Sequence, residues 1–121
     1  RSKEALDHAI QNREEVIRLS RELGLVGMHL FFCPENGEPT AYCRNFAPLF
    51  GIDEESATGT ANAALTYYLG KQNRIQPNQI NSFVQGEAMG KRSVIQSRID
   101  SDGSIWIGGS AVISIRGELK L

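Results

Sequence analysis

The chain has no surplus of either charge: 13 Lys and Arg stand against 14 Asp and Glu, a formal net charge of −1. A nucleic-acid footprint needs a clustered excess of basic residues, so this balance argues against such a partner. No apolar run approaches the length of a bilayer span, and no charged-then-apolar stretch resembles a signal peptide. No membrane partner is therefore expected, and cytoplasm is the expected location. Cysteine is scarce. Cys33 and Cys43 are the two present, and their spacing is not that of metal ligands. They fit buried free thiols in a reducing compartment, while a single disulfide between them stays open. Repeats, low-complexity tracts and internal linkers are also missing, so residues 1–121 are expected to form one domain. Lastly, the first residue is not Met. The chain opens with Arg1-Ser2-Lys3-Glu4 inside a helical pattern, and the expectation is that it was cut from something longer.

What is present is a helix, a hairpin, a second helix and a run of short strands. Ala5, Leu6, Ala9, Ile10, Val16, Ile17 and Leu23 recur with helical spacing, interrupted by Arg13, and Gly24 suits the residue after a helix end. This predicts an outer amphipathic helix, with Glu14 and Arg18 as a supporting i,i+4 pair. From Val26 to Phe32 the period becomes two, with Met28, Leu30 and Phe32 on one face and His29 and Phe31 on the other. Pro34 to Pro39 is turn chemistry, and Thr40 to Phe46 reads as the return strand. Depending on where the turn centres, Cys33 and Cys43 approach as cross-strand neighbours or stand apart. Ala47 to Ser56 reads as loop and Thr58 to about Lys71 as helix. Ile80 to Gln85, Ser93 to Ile99, Ile105 to Ile107 and Ala111 to Ile115 read as strands punctuated by glycine. This order is α+β, which argues against a doubly wound parallel sheet.

The second helix carries the chemistry. Ala61, Ala64, Leu65, Tyr68 and Leu69 line one face, and Asn62 and Ala63 keep the next one small. So slim a helix predicts a central rod wrapped by strands. It begins at Thr58-Gly59-Thr60, preceded by Asp53, Glu54 and Glu55. Either threonine hydroxyl is placed to cap, and the first-turn amides have no partners within the helix. Gly59 has no side chain to keep a ligand off those amides, and the macrodipole adds partial positive charge. Such an end suits a carboxylate or phosphate. An ordinary capped helix has the same pattern.

Arg44-Asn45-Phe46-Ala47-Pro48, then Gly51 to Glu55, then Ala57-Thr58-Gly59-Thr60-Ala61, resembles the second-half signature of the phenazine-biosynthesis PhzF-like isomerase family. That signature runs R-x-F-x-P, G, then E-D-P-A-T-G-S-A. Gln85-Gly86, Met89-Gly90-Lys91-Arg92-Ser93, Gly108-Gly109-Ser110-Ala111 and Gly117-Glu118-Leu119 resemble its Q-G, G-R-P-S, G-G-x-A and G-x-L elements, in order.

The resemblance implies the diaminopimelate epimerase-like fold, in which two lobes each curl a mixed or antiparallel sheet into a barrel around a central helix. The active site lies in the cleft between the two helix starts. This chain resembles the C-terminal lobe, and the family's principal acid/base, a glutamate, belongs to the N-terminal lobe. The implied function is a cofactor-independent isomerase, using neither metal nor organic cofactor, that moves a proton on a small carboxylate-bearing metabolite. The lobe alone is expected to be inactive, and a homodimer is the expected assembly. By position, Glu55 is an auxiliary carboxylate where the family has Asp. Thr60 stands where it has Ser and, with Gly59 and Thr58, would hold the substrate carboxylate. Arg44 is a substrate anchor or a structural partner of the Asp53 to Glu55 run. Ser56 replaces proline, and Lys91-Arg92 replaces Arg-Pro; these departures bear on substrate identity.

Two alternatives stand beside this reading. One is a ligand-binding or structural lobe without catalysis. The other is a thiol-dependent amino-acid racemase or epimerase of the same fold. In the latter Thr58 would occupy the thiol position, and threonine supplies no thiolate near neutral pH. His29 reads as a strand residue, His8 as a helix-flank residue, and Trp106 as core or lobe-interface packing. Asp100 to Gly103 reads as a hairpin turn, because the later glutamate of a calcium loop is missing.

Overall fold

A computed structural model describes residues 2–120. Its elements are α1 (Lys3–Asp7), α2 (Arg13–Leu23), β1 (Met28–Phe32), β2 (Ala41–Ala47), β3 (Ile52–Glu55), α3 (Gly59–Lys71), β4 (Asn81–Gln85), β5 (Ser93–Ile99) and β6 (Ile105–Gly108). Strand order is β1-β2-β4-β5-β6, with β3 also paired to β2. Only β2 and β4 run parallel; the remaining pairs are antiparallel. The architecture is α+β with a mixed sheet.

The leading amphipathic pattern forms two helices rather than one. The Asn12 side chain accepts from Glu15 N and starts α2, while Gly24, at φ 64°, ends it. Between the helices the chain bends around Arg44, whose Nη1 donates to the carbonyls of Leu6, Asp7 and Ala9 at 2.8–3.0 Å. Leu6 and Asp7 belong to the last turn of α1, whose carbonyls lack i+4 partners within the helix, and Ala9 follows it. Ile10 falls in the bend and is exposed. Arg18 pairs with Glu15 and Glu22, not with Glu14.

Alternation along β2 sorts the two sides of the sheet. Ala41 and Cys43 enter the core, with Leu65, Leu69, Ile75, Phe83 and Ile95 beside them under α3. Arg44 and Phe46 point the other way, toward α1 and α2. Phe31, not Cys33, stands opposite Cys43, and both cysteines are free thiols.

Five expectations need correction. The sheet does not close into a barrel: β1 and β6, its two ends, pair with β2 and β5 and not with each other. It curls as an open trough instead. Phe31 of β1 packs edge-on against Tyr68 of α3, with ring centroids 5.9 Å apart. From the other end, Ile107 of β6 reaches Gly59. The buried face of α3 is Asn62, Leu65, Thr66 and Leu69, while Ala64, Tyr67 and Tyr68 are exposed, so the helix is wrapped on one side only. Asn62 and Thr66 belong inside because Gln85 and Ser97 of the sheet supply their hydrogen bonds. Finally, Ala111 to Ile115 form no strand, and Val112, Ile113 and Ile115 lie exposed. Residues 52–55, expected as loop, form β3 against β2. Trp106 is 59% exposed rather than core, and its Nε1 donates to Asp100. Asp100 to Gly103 is the β5–β6 hairpin turn, as expected.

Candidate active site

Thr58 is the residue before α3 and has extended backbone, yet its side chain does not cap the helix. Its hydroxyl donates instead to the Glu55 carboxylate. The first helical amide bond is Asn62 N to Thr58 O at 3.2 Å. The amides of Gly59, Thr60 and Ala61 therefore meet no protein acceptor among the described residues. The helix start stands open.

Gln85, at the end of β4, holds this arrangement. It is fully buried and uses both ends of its amide. Nε2 donates to the Glu55 carbonyl at 2.7 Å and to the Thr58 hydroxyl at 3.0 Å. Oε1 accepts from Asn62 Nδ2 at 2.9 Å and from Thr58 N at 3.4 Å. Gly86, at φ 83°, allows the loop to approach this closely, because a Cβ there would meet Lys91 O at 2.3 Å and Ser56 at 2.9 Å.

A cavity of about 300 Å³ opens beside the helix start. His29, Asn45, Thr58 and Thr60 form its polar side, and Leu25, Val26, Ala61 and Ala64 its apolar side. His29 Nδ1 lies 3.2 Å from Asn45 Oδ1. Burial holds the His29 pKa below its usual value, with Asn45 and Asn62 opposing that shift more weakly. His29 Nε2 and Asn62 Oδ1 are both buried without a hydrogen-bond partner, although Asn62 stands close enough to favour the protonated ring.

Of the residues singled out in the sequence, Thr58 and Thr60 line the cavity, with Gly59 between them on the helix start. Glu55 sits behind Thr58, tied to it through its carboxylate. Arg44 is elsewhere. Its Nε and Nη2 pair with both oxygens of Glu54 at 2.8 and 2.9 Å, and Nη1 serves the end of α1. Those bonds pair it with the Asp53 to Glu55 run, and it does not line the cavity. His29, Asn45 and Gln85 were not singled out as site residues. Period-two alternation puts His29 on the same face of β1 as Phe31, but only the tertiary fold turns that face to α3.

The thiols lie outside the cavity, in the core and at its edge. Burial raises the Cys33 pKa and, helped by the neighbouring Cys33, pushes Cys43 up to about 12. Both are therefore poor thiolates, which weighs against thiol chemistry. Among the described residues no group of three or more His, Cys, Asp or Glu is placed to hold a metal ion, and no helix is long and apolar enough to cross a membrane.

The fold is an open α+β sheet holding one helix whose start faces a cavity. A solved structure described as a predicted epimerase of Pseudomonas aeruginosa superposes with a TM-score of 0.59 at 21% identity, over 83% of this chain and 32% of that one. The sequence profile of the phenazine biosynthesis-like (PhzC-PhzF) proteins matches residues 1–117, and the chain belongs to that family. An uncharacterised isomerase of Deinococcus radiodurans is 31% identical over 84% of this chain and 35% of its own length. Another, of Clostridium acetobutylicum, is 30% identical over the whole chain and 43% of its own length. The trans-2,3-dihydro-3-hydroxyanthranilate isomerase of Pseudomonas chlororaphis is 29% identical over 64% of this chain and 30% of its length. The chain thus spans well under half of these relatives.

Proposed function

We propose that this chain is one lobe of a two-lobed isomerase that moves a proton on a small carboxylate-bearing metabolite, without a metal or organic cofactor. The observation that carries the reading is the uncapped start of α3. Its natural cap, the Thr58 hydroxyl, is diverted to Glu55, leaving three amides for a ligand. A carboxylate placed there meets aligned N–H groups and the positive end of the helix dipole. The Thr60 hydroxyl adds a donor from the cavity wall. A proton allylic to an alkene or α to a carbonyl is easier to remove when the developing charge faces fixed dipoles. Glu55 is the auxiliary carboxylate. The principal acid/base comes from a second lobe, which would form the facing wall of the cleft, so the lobe alone is inactive.

Family membership and isomerase-named relatives support the reaction class, and the apolar half of the cavity supports a ligand with a hydrocarbon body. The test is Thr60→Val, which keeps shape and removes the hydroxyl. Titration calorimetry with benzoate on the folded variant is expected to show affinity lowered about tenfold, the loss of one hydrogen bond to a charged group. Unchanged affinity would remove Thr60 from the site.

A further inference from the structure

The far end of α3 holds a second cavity. The helix runs 13 residues, so its last turn lies about 20 Å from the open start. There Arg74 N donates to Leu69 O at 2.9 Å as the chain leaves the helix. A cavity of about 260 Å³ lies between this end and the β1–β2 connection. Leu69 and Ile75, 1% and 5% exposed, give it an apolar lining.

Its polar groups do not satisfy one another. Glu35 and Arg74 line the same cavity with opposite charges, yet none of the ion pairs among the described residues includes either of them. Thr40 Oγ1, also on the lining, accepts from Ser82 N at 3.1 Å, which leaves its proton to give. Gln79 Oε1 accepts from Gln76 N at 3.2 Å, which leaves its NH₂ as a donor. Asn81 lines the cavity with the converse need. Its Nδ2 donates to the carbonyls of Gln79 and Ser97 at 3.1 and 3.5 Å, and two carbonyl partners fix the orientation of the amide. Its Oδ1 is then an acceptor without a partner, on a side chain 1% exposed, a costly state unless something donates to it. Solvation accounts for Glu35 and Arg74 taken singly. It does not account for a buried, unmatched acceptor beside them.

We propose that this cavity binds a small α-amino acid with an alkyl side chain. The carboxylate meets Arg74, with Thr40 and Gln79 as further donors, and the ammonium meets Glu35 and Asn81 Oδ1. The alkyl group covers Leu69 and Ile75. A carboxylate alone leaves Glu35 and Asn81 unmatched, and an amine alone leaves Arg74 unmatched. Nothing in this site depends on the anion site at the start of α3.

The probe is L-leucine, set against 4-methylpentanoate, which lacks its amine, and 3-methylbutylamine, which lacks its carboxylate. Calorimetry on the chain is expected to show leucine binding about tenfold tighter than either. Arg74→Gln is expected to bring leucine and 3-methylbutylamine within about twofold, and Glu35→Gln to cut the lead of leucine over 4-methylpentanoate about threefold. Both side chains are exposed, so the fold tolerates the changes. Cys33 also lines the cavity while Cys43 is buried, so bound leucine is expected to slow alkylation of Cys33 by iodoacetamide. Absence of leucine binding, or affinity no higher than that of the two fragments, would overturn the proposal. So would binding that both variants leave unchanged. Leucine that binds without protecting Cys33 would occupy another site, and the proposal would fall with it.

Discussion

Arg44 joins three segments far apart in the chain. One guanidinium grips both oxygens of Glu54 and the carbonyls that end α1, with its side chain only 10% exposed. Removing one member of a buried pair leaves the other charged and unpaired, so Arg44→Leu is expected to cost about 3–5 kcal/mol in chemical denaturation. A loss below about 1 kcal/mol would show that the pair is solvated. At His29 the consequence is a pH dependence. Burial lowers its folded-state pKa below 6.5, so the unfolded chain binds the proton more readily. The stability His29 contributes is fully present above about pH 6.5 and is lost as pH falls toward the folded-state value. His29→Gln is expected to flatten the stability profile in that window. A profile of unchanged slope would place the ring in water.

At the scale of elements, the start of α3 depends on β4 coming close behind it. Gly86 makes that approach possible, with a positive φ and backbone oxygens where a side chain would stand. Gly86→Ala is therefore expected to destabilise the fold by more than about 1 kcal/mol and to weaken benzoate binding by displacing Gln85. Denaturation midpoints and calorimetry on the same variant check both effects. Much of this was legible in sequence: the two main helix–strand alternations, the hairpins, and the open helix start at Thr58 to Thr60. The buried face of α3 was not. Apolar periodicity favoured Ala61, Ala64 and Tyr68, whereas Asn62 and Thr66 are inside because Gln85 and Ser97 supply their partners. Polar residues buried by a distant partner carry no local pattern. The break between α1 and α2 escaped for the same reason, since its cause is Arg44, more than thirty residues away.

At the scale of the molecule, the sheet is a trough and not a closed barrel, and one side of α3 is left uncovered. Strand closure depends on which segments pair, which strand-like composition does not encode; Ala111 to Ile115 have the composition and lie off the sheet. The relatives it resembles are more than twice as long. Whatever the ligand, binding would rest on three amides left free at one end of one helix. Their ¹H–¹⁵N resonances, followed while benzoate is titrated into the chain, test this most directly. Saturable downfield shifts are expected at Gly59, Thr60 and Ala61, larger than at any other helix start. Shifts confined to other residues, or none at these three, would contradict it.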